Sequence, residues 1–242
     1  MTASWFSDWF DSPYYHVLYS NRDTQEAEAF MQRLMDYLKV PIESAVLDLP
    51  CGKGRHANYL ARLGYHVVGA DLAPNSIDIA RQEAEDKAVF MVHDIRQPAW
   101  QEDFDVVVNL FTSLGYFETE VDDIAAFSTL ARAAKKEGFI VIDFFNSVKV
   151  IRDLVPQNIV QRDTVTFELE RVVKEGIIYK TIRFQVEQEV KVYQEKVKAF
   201  YLNDFIRWAE LSNLTLINTF GDYLLNPFDE WTSDRLILVF KK

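Results

Sequence analysis

Short apolar runs alternating with amphipathic stretches set the pattern of the first two thirds of the chain. Ser44–Leu49, Tyr65–Ala70, Val89–Ile95 and Phe104–Leu110 each carry a compact apolar core too short for a helix, and read as buried strands. Asp23-Thr24-Gln25-Glu26 is a capping box for a helix through about Lys39, with Ala27, Phe30, Leu34 and Leu38 as its buried stripe. Pro41 ends that element. After the first strand, Ala57, Leu60, Ala61 and Leu63 recur at helical spacing, with Gly64 as the C-cap. Leu72-Ala73-Pro74-Asn75 turns into a further helix with Asn75 as N-cap. A helix from Val121 to Lys135 is ended by Gly138, and Phe139–Phe144 supplies the fifth strand. Strands alternating with helices predict an α/β architecture with a parallel sheet.

Near residue 158 the period changes to two. Val160–Val173, Ile177–Glu187 and Glu189–Phe200 are rich in β-branched and aromatic residues, with a turn at Glu175-Gly176. These predict an antiparallel insertion over residues 158–200. Arg162, Glu168, Glu170, Arg171, Lys180 and Arg183 lie on or near its polar face, which suits scaffold or a dimer surface better than chemistry. Asn203 caps a helix through Ser212, and Leu214–Phe220 and Arg235–Phe240 supply two last strands. The loop between them holds Tyr223, Asn226, Pro227, Phe228 and Trp231.

The first strand runs into Asp48-Leu49-Pro50-Cys51-Gly52-Lys53-Gly54-Arg55-His56-Ala57. Gly52 and Gly54 allow a tight turn and close approach of a ligand, and the following helix aims its free N–H groups at that ligand. Asp71 ends the second strand, where a ribose diol is held in nucleotide-binding folds. The spacing Gly52-x-Gly54-x-x-Ala57 also fits a dinucleotide fingerprint. A charged Asp48 argues against a pyrophosphate there and for a cationic ligand. S-adenosylmethionine, with an ammonium and a sulfonium and no phosphate, meets that condition.

An acid followed by this glycine-containing loop resembles the first motif of class I S-adenosylmethionine-dependent methyltransferases of the small-molecule type. Asp71 matches that family's ribose-binding acid, and Val89–Ile95 matches the end of its third strand, where Asp94 and Ile95 would define the adenine slot. Phe104–Leu110 resembles its fourth strand. Pro50 departs from the pattern, standing where many relatives carry the first glycine. The resemblance implies a single Rossmann-like domain with a mostly parallel seven-stranded sheet in the order 3-2-1-4-5-7-6, strand 7 antiparallel. The β insertion follows strand 5. Residues 1–40 would form an N-terminal aromatic lid and helix, and residues 41–242 the main domain.

The resemblance implies a cofactor site of Tyr19, Asp48, Cys51, Gly52, Gly54, Asp71, Leu72, Asp94, Ile95, Asn109, Leu110 and Phe111. S-adenosyl-L-methionine would be the cofactor and S-adenosyl-L-homocysteine the product. Methyl transfer is an in-line displacement that needs alignment and water exclusion rather than a covalent nucleophile. Proton-handling candidates are His16, Tyr14 and Tyr116; His56 and His66 are read as structural. Trp5, Phe6, Trp9, Phe10, Tyr14, Tyr15, His16 and Tyr19 crowd the start of the chain. They either cover the core or form a lid over cofactor and acceptor, with Tyr14, His16 and Tyr19 the best lid residues. The pattern Tyr15-x-x-x-Tyr19 followed by Asn21-Arg22-Asp23 resembles the N-terminal helix region of the same enzymes. For Asp143, at the end of the fifth strand with Phe145 and Asn146, capping and network roles both stand.

Composition narrows the partners. The formal charge of -11 disfavours a broad nucleic-acid surface, and a small organic acceptor is expected. No nucleic-acid partner, membrane partner or metal ligand set is expected. Cys51 is the single cysteine, so no intrachain disulfide is expected and a reducing compartment is compatible. With neither a leader nor an apolar run of transmembrane length, the protein is expected to be cytoplasmic. A homodimer through the insertion is a further expectation. Two other classes fit the loop: a non-catalytic adenosyl-binding or interaction module plugged by Trp5, Trp9 and Tyr15, and a nicotinamide oxidoreductase.

Overall fold

The computed structural model describes residues 5–20 and 24–242. Two six-residue helices, α1 (Trp5–Phe10) and α2 (Pro13–Leu18), precede the long α3 (Thr24–Leu38). Then β1 (Ala45–Asp48), α4 (Arg55–Arg62), β2 (His66–Asp71), α5 (Pro74–Gln82), β3 (Ala88–Val92), β4 (Phe104–Asn109), α6 (Glu120–Ala133) and β5 (Ala134–Phe145) alternate as expected. After α7 (Ser147–Arg152) come the insertion strands β6 (Gln157–Arg162), β7 (Val165–Lys174), β8 (Ile177–Val186) and β9 (Glu189–Lys198). The chain closes with α8 (Leu202–Leu211), β10 (Thr215–Phe220) and β11 (Arg235–Lys241).

The main sheet has seven strands in the order β3-β2-β1-β4-β5-β11-β10. Leaving out the insertion strands, that is 3-2-1-4-5-7-6. The first five strands pair in parallel, whereas β11 runs antiparallel to both β5 and β10. Val106, Val107 and Val108 of β4 are buried on both faces, as a central parallel strand requires. One face packs on α3 and α4 through Phe30, Leu34, Ala57 and Leu60; the other packs on α6 and α8 through Phe127, Leu130, Phe205 and Trp208. The predicted stripe Ala27, Phe30, Leu34 and Leu38 is buried throughout. Among the described residues no helix is long and apolar enough to cross a membrane.

Several boundaries differ from expectation for local reasons. The stretch read as one strand over Val160–Val173 is β6 and β7, folded back at Asp163-Thr164 with Asp163 at φ +50°. Helix α6 stops at Ala133 and β5 begins directly, so Gly138 lies inside the strand rather than ending the helix. A Cβ at Gly138 would stand 2.9 Å from the Lys135 carbonyl, which explains the glycine. Helix α5 is capped at Ala73 with Pro74 in its first turn, not at Asn75. The Asn75 amide and side chain instead donate to Asp11 at 3.0 and 2.8 Å. Helix α8 starts after Tyr201, whose amide donates to Asp204 at 2.9 Å, rather than at an Asn203 cap. Helix α7 was not foreseen, and Asn146 is its N-cap, accepting from the Val148 amide and donating to the Glu230 and Ser233 carbonyls. The capping box read at Asp23–Glu26 begins outside the described residues, as does Asn21-Arg22.

The insertion sheet joins the main domain at one tight point. The Lys198 amide at the end of β9 donates to the Gly115 carbonyl at 2.8 Å, and a Cβ on Gly115 (φ +86°) would lie 3.1 Å from the Lys198 carbonyl. Gly115→Ala should therefore cost about 1–3 kcal/mol through backbone strain and crowding, lowering the thermal midpoint by several degrees. An unchanged midpoint would show that the junction tolerates a side chain.

Candidate active site

The turn after β1 is shaped by its glycines. Gly52 (φ +56°) and Gly54 (φ +78°) lie in the left-handed region, and a Cβ on Gly54 would come within 2.7 Å of the Phe90 ring of β3. Arg55 opens α4, so the helix N-terminus meets the turn. Asp71, at the end of β2, holds this arrangement: one carboxylate oxygen accepts from the Gly52 amide at 2.8 Å and the other from the Ala73 amide at 2.9 Å. Because Ala73 caps α5, a single side chain ties the turn to the next helix. Burial raises the Asp71 pKa, and the amide bonds pull it back in part.

These elements line a cavity of about 580 Å³ at the C-terminal edge of the parallel strands, within the ordinary range for a small-molecule site. Cys51, Gly52, Asp71 and Leu72 form one wall, and Asp94, Ile95, Leu110, Phe111, Thr112 and Ser113 continue it. Phe6, Phe10, Tyr15 and His16 of the N-terminal helices and Tyr19 just past α2, with Tyr116 and Phe117, close the cavity from above. Asp94 is gripped by Arg96, with Nε at 3.0 Å from one oxygen and Nη2 at 2.6 Å from the other. Burial alone would raise the Asp94 pKa, but the Arg96 hydrogen bonds and charge outweigh it and hold the carboxyl below its ordinary value.

The loop after β4 carries two consecutive left-handed residues without glycine, Phe111 (φ +58°) and Thr112 (φ +57°). Such a conformation persists only where its surroundings over-determine it. Here Asp143 of β5, fully buried, accepts from the Phe111 amide at 3.0 Å, from Arg235 Nε at 2.7 Å and from the Tyr223 hydroxyl at 3.1 Å. Arg235 also donates to the Thr112 hydroxyl at 3.1 Å. Asp143 is thus the hub of a structural network behind the wall.

Residues 46–138 match the family model of a methyltransferase domain. The YqeM protein of Bacillus subtilis (strain 168) is 32% identical over 46% of this chain and 46% of its own length. The dTDP-3-amino-3,4,6-trideoxy-alpha-D-glucopyranose N,N-dimethyltransferase of Streptomyces venezuelae is 27% identical over 57% of this chain and 59% of its own length. The chain thus spans about half the length of these curated relatives. An S-adenosylmethionine-dependent methyltransferase structure from Clostridium acetobutylicum superposes with a TM-score of 0.80 at 16% identity, covering 94% of this chain and 95% of that one; this likeness shows the fold. Residues 46–138 thus match a methyltransferase domain, and the chain has the fold of an S-adenosylmethionine-dependent methyltransferase structure. Its antiparallel β11, set between β5 and β10, separates it from doubly wound dinucleotide enzymes.

Of the residues expected at a methyltransferase cofactor site, Tyr19, Cys51, Gly52, Asp71, Leu72, Asp94, Ile95, Leu110 and Phe111 line one cavity. Gly54, Asp48 and Asn109 lie behind it. Asn109 donates to the Leu49 carbonyl at 2.7 Å and so props the turn from below. His16 and Tyr116 are on the wall, the Tyr116 hydroxyl donating to the Thr112 carbonyl at 2.6 Å. Tyr14 is not: its ring packs on Phe184 of the insertion, with centroids 4.8 Å apart. Its neighbour Tyr15 lines the cavity instead. Trp9 is buried against Tyr193 and does not plug the cavity. His56, read as structural, also reaches the wall and stacks on Phe111 at 5.3 Å. Arg55, Ser76 and Phe117 were missed as well; for Arg55 and His56 the signal was their place in the first helical turn after Gly54.

Asp48 corrects an argument made from its charge. It is fully buried, and neither oxygen has a hydrogen-bond partner of good geometry. Burial and the nearby Asp71 push its pKa up to about 8, against a weaker pull from Arg55 and the Ala57 amide. At neutral pH the group is largely protonated, so its charge is not what rejects a pyrophosphate; sheet order discriminates instead. The folded protein keeps a proton that the unfolded chain loses as pH rises from near 3.8 to about 8, so Asp48 withdraws stability across that window. Asp48→Asn should remove this dependence. Its thermal midpoint, relative to the native protein, should climb between pH 4 and pH 8, and a constant difference across that range would refute the assignment.

Proposed function

We propose that the protein transfers the methyl group of S-adenosylmethionine to a small organic acceptor inside the cavity. The observation that carries this reading is Asp71, whose carboxylate both orders the Gly52 turn and faces the cavity. The residues present fit the cofactor. A carboxylate at Asp71 suits a ribose diol, and Asp94 beside Ile95 suits an exocyclic amine at an apolar slot. A Cβ at Gly52 would meet nothing within 4 Å, so the turn leaves room for the amino-acid end. When bound, the cofactor supplies an electrophilic methyl group for in-line displacement. The aromatic rings of α1 and α2 would exclude water from it and favour a cationic sulfur through their faces.

His16 is the wall residue best suited to accept a proton from the acceptor, since the Tyr116 hydroxyl proton is committed to the Thr112 carbonyl. The Streptomyces venezuelae relative is named for N,N-dimethylation of an amino-sugar nucleotide, which supports an acceptor of the small organic class. The outer face of the insertion exposes Val172, Val190 and Val192, and we assign to it a homodimer contact. Sedimentation showing only monomer across micromolar concentrations would reject that contact.

Calorimetric titration of the ligand-stripped protein with S-adenosylmethionine should give saturable one-to-one binding. Asp71→Ala, checked for folding by circular dichroism, should weaken it by roughly tenfold or more, the loss of one or two charge-assisted hydrogen bonds. Equal affinity in a folded Asp71→Ala variant would contradict the ribose assignment.

A further inference from the structure

The insertion does more than decorate the fold: one of its strands holds both sides of the cavity roof. On β9 the residues Tyr193, Glu195 and Val197 face inward, and Glu195 is the one buried most deeply. Its carboxylate accepts from Trp9 Nε1 of α1 at 2.7 Å and from the Tyr19 hydroxyl, just past α2, at 2.7 Å. Lys180, its direct cross-strand partner on β8, donates to the Tyr19 oxygen at 2.6 Å and stands 3.4 Å from Glu195. The Tyr19 hydroxyl is therefore engaged by the insertion, and the residue offers its ring to the cavity. Three residues further along β9, the Lys198 amide holds Gly115, next to Tyr116 on the opposite side of the roof.

Helices α1 and α2 have six residues each, far below the length at which an isolated helix is stable in water. Their place is set by what they dock on. Most of that docking is apolar, through Trp9, Leu18, Phe167, Leu169, Ile182 and Phe184, and apolar contact resists sliding weakly. The Glu195 cluster adds directional bonds at a buried position, which fix register as well as distance.

We propose that Glu195 and Lys180 are positioning residues that latch the N-terminal helices over the cavity through Tyr19 and Trp9, and thereby set how fast the adenosyl cofactor exchanges. The second half of this inference rests on the methyltransferase reading; the latch itself does not.

The test is a double-mutant cycle of Tyr19→Phe, Glu195→Gln and the pair together, read in two ways. Tyr19→Phe keeps the ring in the wall and deletes only the bridging hydroxyl. Hydrogen exchange of the ligand-free protein should show amides in residues 5–20 exchanging about fivefold faster in each single variant, with the double variant no faster than the more affected single. Exchange in β1 and β4 should be unchanged. Stopped-flow release of S-adenosylhomocysteine should accelerate by a similar factor, with the same non-additivity. Unchanged or additive exchange at residues 5–20 would overturn the latch. Loosening spread over β6–β9 with unaltered release would leave Glu195 as ordinary scaffold and overturn its positioning role. Failure of the native protein to bind S-adenosylhomocysteine would overturn the cofactor reading and the exchange-rate claim, while hydrogen exchange would still decide the latch.

Discussion

The site depends on two hydrogen bonds accepted by one carboxylate. Asp71 receives the Gly52 amide with one oxygen and the Ala73 amide with the other, so the end of β2 fixes both the turn after β1 and the start of α5. Bonds of this charge-assisted kind contribute about 1.5–3 kcal/mol each, enough to hold a turn whose glycines would otherwise sample many conformations. Phe90 of β3 completes the restraint by filling the space that a side chain at Gly54 would need. The group that orders the turn also lines the cavity.

A second buried carboxylate performs the matching task across the sheet. Asp143 restrains the left-handed Phe111 and Thr112 through backbone and Arg235 contacts, keeping the loop after β4 in a strained shape. Between these two anchors lies Asp48, buried without a good partner and largely neutral at pH 7. Three acids at one sheet edge thus do three different things: Asp71 accepts amides, Asp143 accepts a guanidinium, and Asp48 retains its proton. Their environments, not their identity, separate them.

Much of this was legible in the sequence where the signal was local. The stripe of α3, the valine run of β4, the glycines of the turn and the acids ending β2 and β3 all stand where the pattern placed them. What was hidden depended on distant partners or on lengths too short to show a period. The two-residue turn at Asp163-Thr164 shifts the period-two pattern by a single position and carries neither glycine nor proline, so two strands read as one. The cap of α5 was misplaced because Asp11, from far upstream, satisfies Asn75. That Tyr14 packs on the insertion while Tyr15 lines the cavity is not legible in sequence, because a six-residue helix has no stripe from which to read its buried face. The neutrality of Asp48 follows from burial, which one sequence position does not display.

The central claim is that an adenosyl cofactor lies along the wall from Gly52 through Asp71 to Asp94. A crystal structure of the protein with S-adenosylhomocysteine tests it most directly. The account predicts ribose hydroxyls on the Asp71 carboxylate, the adenine between Asp94 and Ile95, and the amino-acid end over Cys51-Gly52. Ligand density elsewhere, or a ribose with no contact to Asp71, would contradict it.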